Sequence, residues 1–219
     1  MSLSKIMRAV IARSRRGLGR GFVAFGALAV AASALCLPAS VEASESAGFY
    51  RKWSWFENSY WIVPPEGVYS VFQIAEDNSF VVDRGQTVFH ITDYFNGYFT
   101  GAVVVKLTKA QYTSCQFVLG QVTPEGRVFM TMYNAEEGSS DYGSVQNYPV
   151  GQMVMRGGEW TMVNQMTSKT QGGTLSHWAF MEQSKPDSAT FKKLPFARVS
   201  IPEFMSSCPK GPKIKNVFE

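Results

Sequence analysis

The sequence predicts an all-β fold, and three observations carry that prediction. Helical periodicity is almost absent after residue 43, whereas short runs of alternating apolar and polar residues recur along the chain. Many of these runs are rich in Val, Phe, Tyr, Trp and Thr, the residues that favour strands. Turns containing Gly or Pro separate the runs at short intervals, and no long crossover helix stands between them. We therefore expect consecutive strands to pair antiparallel.

The first 43 residues have the three parts of an export signal. They contain a basic segment, an apolar core from Phe22 to Leu37 and the small-residue site Val41-Glu42-Ala43. The core is shorter than the roughly 20 residues that a membrane-spanning helix needs. We expect cleavage after Ala43, which leaves residues 44–219 as a single domain without a transmembrane anchor. The mature protein would then be periplasmic or secreted.

The export route stays open between two pathways. Ser14-Arg15-Arg16-Gly17-Leu18 resembles the twin-arginine signal, although Gly19 stands where that pattern usually has a second apolar residue. The alternative is an ordinary Sec signal that contains paired arginines. The leader carries six of the 21 Lys and Arg residues and one of the 17 Asp and Glu residues, so 15 basic and 16 acidic residues remain. A nearly neutral mature chain gives no reason to expect nucleic-acid binding.

Alternation and turn residues define the predicted strands. Thr123–Gly126 is a turn in which Pro presets φ and Gly accepts a positive φ, so the runs on either side should form a hairpin. The acidic, Gly- and Ser-rich loop 134–144 is expected to be a mobile surface excursion, and the Pro- and Lys-containing tail 206–219 a solvated end. The predicted strands are Tyr60–Val63, Val68–Ala75, Phe80–Val82, Gln86–Tyr94, Tyr98–Leu107, Tyr112–Val122, Arg127–Tyr133, Met153–Arg156, Glu159–Thr167, Thr174–Gln183 and Phe196–Ile201.

This strand order favours a single antiparallel meander β-barrel, with a β-sandwich as the alternative. Closure of a barrel would remove the exposed edges that invite aggregation. The number of strands, the chain size and the tryptophan-bearing strands resemble the calycin group, the lipocalin and avidin type of ligand-binding barrel. The phrases NGYFTG, VTPEGRV, WTMVNQM and HWAFM also resemble those of uncharacterised exported proteins of Gram-negative bacteria. Neither resemblance supplies a functional residue.

Two cysteines remain after cleavage, Cys115 and Cys208. In an oxidising compartment such a pair favours a disulfide over two free thiols, and neither cysteine has the spacing of a metal site. We therefore expect a disulfide between them.

The sequence predicts no catalytic residue, metal site or cofactor. His90 and His177 lie outside the usual zinc motifs, and we expect each to be a hydrogen-bonded structural histidine. Asp93 should face away from His90, because three residues along a strand reverse the face. No nucleophile elbow, phosphate-binding loop or dinucleotide fingerprint is present. An enzyme whose site is assembled from distant residues stays one of the open classes.

A binding protein is the function that the sequence favours. Trp160, Met162, Asn164 and Met166 share one face of a predicted strand, and this mixture suits a small, mainly apolar ligand that Asn164 orients. The same face would also serve as a plain core. The alternative function is an envelope-associated interaction or structural module with a filled barrel, which would contact a partner through Trp53, Trp55 and Trp61.

Replacement of Arg15 and Arg16 by lysine separates the two export routes. The double variant should not be exported if the twin-arginine pathway carries the chain, because that pathway reads the arginine pair. Immunodetection of the mature protein outside the cytoplasm measures the effect. Undiminished export would assign the chain to Sec.

Overall fold

Antiparallel strands dominate the computed structural model, which describes residues 48–108, 113–170 and 172–215. The all-β prediction is confirmed. The predicted export signal lies outside the described residues, and no helix within them is long and apolar enough to cross a membrane. The strands are β1 (Ser59–Ile62), β2 (Tyr69–Ile74), β3 (Phe80–Phe95), β4 (Tyr98–Leu107), β5 (Thr113–Val122), β6 (Arg127–Asn134), β7 (Val145–Asn147), β8 (Val150–Arg156), β9 (Glu159–Thr170) and β10 (Gly173–Ser184).

The strands pair in a closed ring. Strands β2 to β6 follow one another in the order of the chain, and the ring continues through β8 and β9 to β10. Strand β10 pairs with both β1 and β2, and each of these two also pairs with β3. Strands β1 and β2 therefore share one position between β3 and β10. We call the two ends of the ring the β1 end and the β2 end.

The side chain of Gln86 fills the gap between β1 and β2. Residues 63–68 interrupt the strand pairing there, because the chain makes a 3-10 turn at Pro65–Gly67. The fully buried Gln86 accepts hydrogen bonds through Oε1 from the N–H groups of Val63 (3.1 Å) and Thr87 (2.9 Å). Its Nε2 donates to the Val63 carbonyl (3.0 Å). A side-chain amide thus supplies the donor and the acceptor that a strand backbone would have supplied.

Alternating side chains fill the interior of the ring. At some positions a large inner side chain lies against a small one on the next strand. Gly120, for example, has no room for a Cβ because the Phe99 ring lies against it. The interior core is built mainly from Phe89, Ile91, Phe99, Val103, Val118, Val122, Val128, Met130, Met132, Met153, Met162, Ala179 and Met181.

The segment before β1 closes the β1 end. Its 3-10 turn, Ser54–Phe56, places the Phe56 ring 5.5 Å from both Trp61 and Phe99, measured between ring centroids. The indole N–H of Trp53 donates to the Thr123 carbonyl (2.8 Å) in the turn between β5 and β6. These contacts reach across the ring, so the segment acts as a cap.

The C-terminal segment covers the outer face of β1, β3 and β4. The predicted strand Phe196–Ile201 is wrong, because Phe196 and Arg198 adopt positive φ (64° and 62°) and a short helix, Ile201–Met205, follows. The apolar residues that suggested a strand instead pack on the sheet from outside. This outer core consists of Ile62, Val88, Val104, Phe191, Ala197, Ile201 and Phe204.

The tail is attached to the ring at Cys208 and again between Pro212 and Ile214. Cys115 of β5 and Cys208 are at disulfide distance, with Cα atoms 5.4 Å apart, as the sequence predicts. Farther along, the Pro212 carbonyl accepts hydrogen bonds from the hydroxyls of Thr92 and Thr100. The backbone of the tail is therefore docked on the ring. Its lysines remain in solvent, as predicted.

Several strand boundaries differ from the prediction. The two predicted strands before Tyr98 merge into β3, which bends at a register shift between Ile91 and Asp93. Strand β7 was not predicted. The loop 134–144 that precedes it is organised by Asn134, whose Nδ2 donates to Asp141 Oδ1 (2.7 Å) and whose Oδ1 accepts from the N–H of Glu136 (2.8 Å).

Gln86→Leu should lower the free energy of unfolding by about 2 to 4 kcal/mol, because it leaves two buried backbone groups of Val63 without partners. Denaturant unfolding measures the change. Gln73→Leu on β2 is the matched control, since the Gln73 amide is partly exposed and water can replace its contacts with Ile74 and Asn78. Equal losses in the two variants would contradict the role given to Gln86.

Candidate functional site

The four predicted ligand residues all face the interior, but they do not form one site. Met162 is fully buried in the core, and Trp160 lies at the β1 end, where its ring centroid is 4.9 Å from that of Trp53. Asn164 and Met166 line an internal cavity nearer the β2 end. The buried side chain of Met162 thus separates Trp160 from Asn164 and Met166 on the predicted face of β9.

The internal cavity has a volume of about 30 Å³. Its lining is mostly apolar, with Thr87, Gln116, Asn164 and His177 as polar groups. A cavity of this volume has room only for water-sized molecules. A larger ligand could enter only after the surrounding side chains had moved, so an apolar ligand at this face stays a prediction.

Buried polar atoms without a partner gather around this cavity. Asn164 Nδ2 contacts only the weakly accepting Sδ of Met181 (3.4 Å), and Asn164 Oδ1 and Gln116 Oε1 have no hydrogen-bond partner. Ser70 Oγ and both polar atoms of the Asn147 side chain are also unpaired. Ser70 stands opposite the cavity residue His177, and Asn147 opposite the cavity residue Met132. The interior is therefore more polar here than at the β1 end.

The two histidines occupy structural positions. His177 Nδ1 lies 3.0 Å from the Tyr69 carbonyl, to which it donates, and burial lowers the pKa of this histidine. His90 stacks on Tyr60 with ring centroids 4.1 Å apart, and burial lowers its pKa as well. Both imidazoles are therefore held in the neutral form at neutral pH.

The prediction that His90 and Asp93 lie on opposite faces of their strand is wrong. The register shift in β3 adds a residue to the alternation, so Asp93 lies on the outer side of the strand, like His90. Asp93 Oδ2 accepts a hydrogen bond from the N–H of Ile214 (2.8 Å). The carboxylate thus anchors the tail. No cluster of three or more metal-ligating side chains occurs among residues 48–108, 113–170 and 172–215.

The three tryptophans of the N-terminal segment do not form an exposed patch. Trp53 and Trp61 are 1% and 0% exposed, because their indoles pack with Phe56 to close the β1 end. Trp55 is partly exposed and packs against Phe56 and Trp61, with centroid distances of 5.0 and 6.0 Å. Of the predicted partner surface, Trp55 is the residue that reaches solvent.

A surface groove of about 880 Å³ lies beside Trp55 and Trp160. Its remaining walls come from the turn before β9, the end of β10 and the segment that follows β10. They are lined by Ile62, Gly158, Glu159, Glu182, Gln183, Ser184, Lys185, Asp187, Ser188 and Thr190. Ligand sites commonly have volumes of about 300 to 1,000 Å³, so this groove has the size that the internal cavity lacks.

Local structure fixes both indoles at the edge of this groove. Gly157 and Gly158 both adopt positive φ (59° and 87°) and make the tight turn that brings Trp160 to the start of β9. Trp53 then holds Trp160 edge to face from the interior side. Packing of Trp55 against Phe56 restrains the second indole in the same way. Both aromatic surfaces are therefore ordered before any ligand arrives.

Sequence reasoning found Trp160 but not the groove around it. Trp55, Glu159 and Glu182 belong to three separate segments of the chain. Alternation within one strand does not indicate that these segments lie close together in the fold. The one feature of the sequence that pointed to the groove is Gly158-Glu159-Trp160, in which an acid directly precedes a tryptophan just after a turn.

Asn164→Leu should raise the free energy of unfolding by about 1 kcal/mol, because it removes a buried carbonyl oxygen that has no partner. Denaturant unfolding tests this expectation. Asn134→Leu is the matched control and should destabilise the protein, since the Asn134 amide is fully paired. A loss of stability in Asn164→Leu would contradict this expectation.

Comparisons with family models, curated proteins and solved structures find no match to this chain.

Proposed function

We propose that the mature chain is an exported binding protein that holds a small ligand in the groove beside Trp55 and Trp160. The observation that carries this proposal is the presence of two pre-ordered indoles at the edge of a groove of about 880 Å³. Indoles offer a large apolar surface with little conformational entropy to lose, because each has only two side-chain torsions. The ring serves as the rigid support.

Export to the periplasm or the exterior belongs to the same proposal. The N-terminal residues have the pattern of an export signal, and Cys115 and Cys208 are at disulfide distance. Disulfides persist mainly in oxidising compartments, so this pair supports a location outside the cytoplasm.

A second candidate function is a protein-interaction module that uses the outer face of β6, β8, β9 and β10. Phe129, Val150, Gln165 and Trp178 stand directly opposite one another across these four strands. All four are exposed, and Trp178 is 66% exposed. Exposed apolar surface of this kind marks interaction sites in many proteins. The C-terminal segment covers the outer face of β1, β3 and β4, whereas Trp178 lies in solvent.

Nuclear magnetic resonance of the indole N–H groups tests the groove directly, because the chain has five tryptophans and therefore five such signals. Three probes of one compact shape are titrated separately: 3,3-dimethylbutan-1-ol, 3,3-dimethylbutanoate and choline. We expect at least one probe to shift the Trp55 and Trp160 signals saturably while the Trp178 signal stays fixed. Trp→Phe variants assign the five signals.

Two other outcomes would contradict the proposal that the groove binds a small ligand. If no probe shifts Trp55 or Trp160, the groove does not bind small ligands of this shape. If only Trp178 responds, the outer face is the binding surface and the second candidate takes its place. Trp178→Phe serves as the control variant and should bind every probe as the unmodified protein does.

A further inference from the structure

The groove beside Trp55 and Trp160 has an excess of negative charge. Glu159, Glu182 and Asp187 line it, whereas Lys185 is the one basic residue among the lining residues. All four are exposed, so they can approach a ligand without losing buried partners. The lining therefore carries two net negative charges, which favours a cation over an anion.

The indoles decide which kind of cation fits. Exposed carboxylates alone are ordinary on a protein surface and bind nothing in particular. Here they surround a groove that also presents Trp55 and Trp160, and the face of an indole attracts cations more strongly than any other side-chain ring. A strongly hydrated metal ion gains little from an indole face. A substituted ammonium group gains from both the ring and the carboxylates.

Register places two acids and an indole at the same edge of the sheet, with the acids on its outer face and the Trp160 ring on its inner face. Glu159 directly precedes Trp160 at the start of β9, and Glu182 on β10 pairs with Thr161, the residue that follows Trp160. Glu182 also stands opposite Ile62 of β1, so it lies on the outer side of the sheet. Arg156 is the register partner of Glu159, but its guanidinium lies over the Phe180 ring, 4.0 Å from the ring centroid.

We propose that this groove binds a small organic cation, a substituted ammonium carrying compact apolar groups. The inference rests on the proposed function and names the ligand class of the same site. The methyl or methylene groups of the ammonium would lie on the indole faces of Trp55 and Trp160. Glu159 and Glu182 would supply the opposite charge.

The three probes separate charge from shape, because each carries the same branched apolar body. Choline is a cation, 3,3-dimethylbutan-1-ol is its neutral counterpart and 3,3-dimethylbutanoate is an anion. We expect choline to bind at Trp55 and Trp160 at least tenfold more tightly than the alcohol, and the carboxylate to bind most weakly. Raising the salt concentration should weaken choline binding and leave alcohol binding unchanged, since salt screens exposed charges.

Isosteric variants test the carboxylates without disturbing the fold. The double variant Glu159→Gln/Glu182→Gln should reduce choline affinity at least threefold and leave the affinity for the alcohol unchanged. Glu137→Gln is the control, because Glu137 is an exposed acid in the loop 134–144 and does not line the groove. A merely structural role for these acids would change the binding of both probes alike.

The results distinguish this inference from the proposed function. Equal binding of choline and the alcohol at Trp55 and Trp160 would overturn the cation preference and keep the groove as a ligand site. Tightest binding of the carboxylate probe would overturn the preference as well. Absence of any shift with all three probes would overturn both proposals.

Discussion

The hydrogen bonds of Gln86 allow two short strands to act as one member of the ring. Strands β1 and β2 would leave a break in the wall between β3 and β10, because the turn at Pro65–Gly67 removes the backbone from the pairing. Buried backbone groups that lose their partners are costly, so such a break persists only if another group pairs with them. Gln86 provides that group from β3. The ladders of β1 and β2 close the ring on either side of the gap, and the hydrogen bonds of Gln86 keep the wall continuous between them.

The groove arises where two covering segments approach the ring. The N-terminal cap seals the β1 end and leaves Trp55 partly exposed. The C-terminal segment leaves β10 at Ser184, and residues 185–190 form one wall before Phe191 enters the outer core. Neither cover is a regular element of the sheet. Their meeting with the start of β9 nevertheless sets the shape of the groove.

Most of the sheet could be predicted from the sequence, because alternation reports which side of a strand is buried. The prediction failed where something other than alternation decides the structure. In Phe196–Ile201 the apolar residues Ala197 and Ile201 belong to the outer core rather than to a strand, and the register shift in β3 reverses the side on which Asp93 lies. The groove was missed for a third reason. Glu159 and Glu182 meet through the pairing of β9 with β10, whereas the segment with Trp55 reaches them only because the ring closes between β1 and β10, far apart in the chain.

The filling of the ring explains why binding should occur at its rim. A ring with eight strand positions has an interior that side chains can fill or that one small ligand can occupy. Here large residues such as Phe99, Met132 and Met162 take up the space and leave a cavity of about 30 Å³. Along β9, Asn164 remains inside, whereas Trp160 lies where the interior ends. Its ring contacts Trp53 and also borders the groove. The alternation that buries the rest of this strand therefore delivers an ordered indole to the surface.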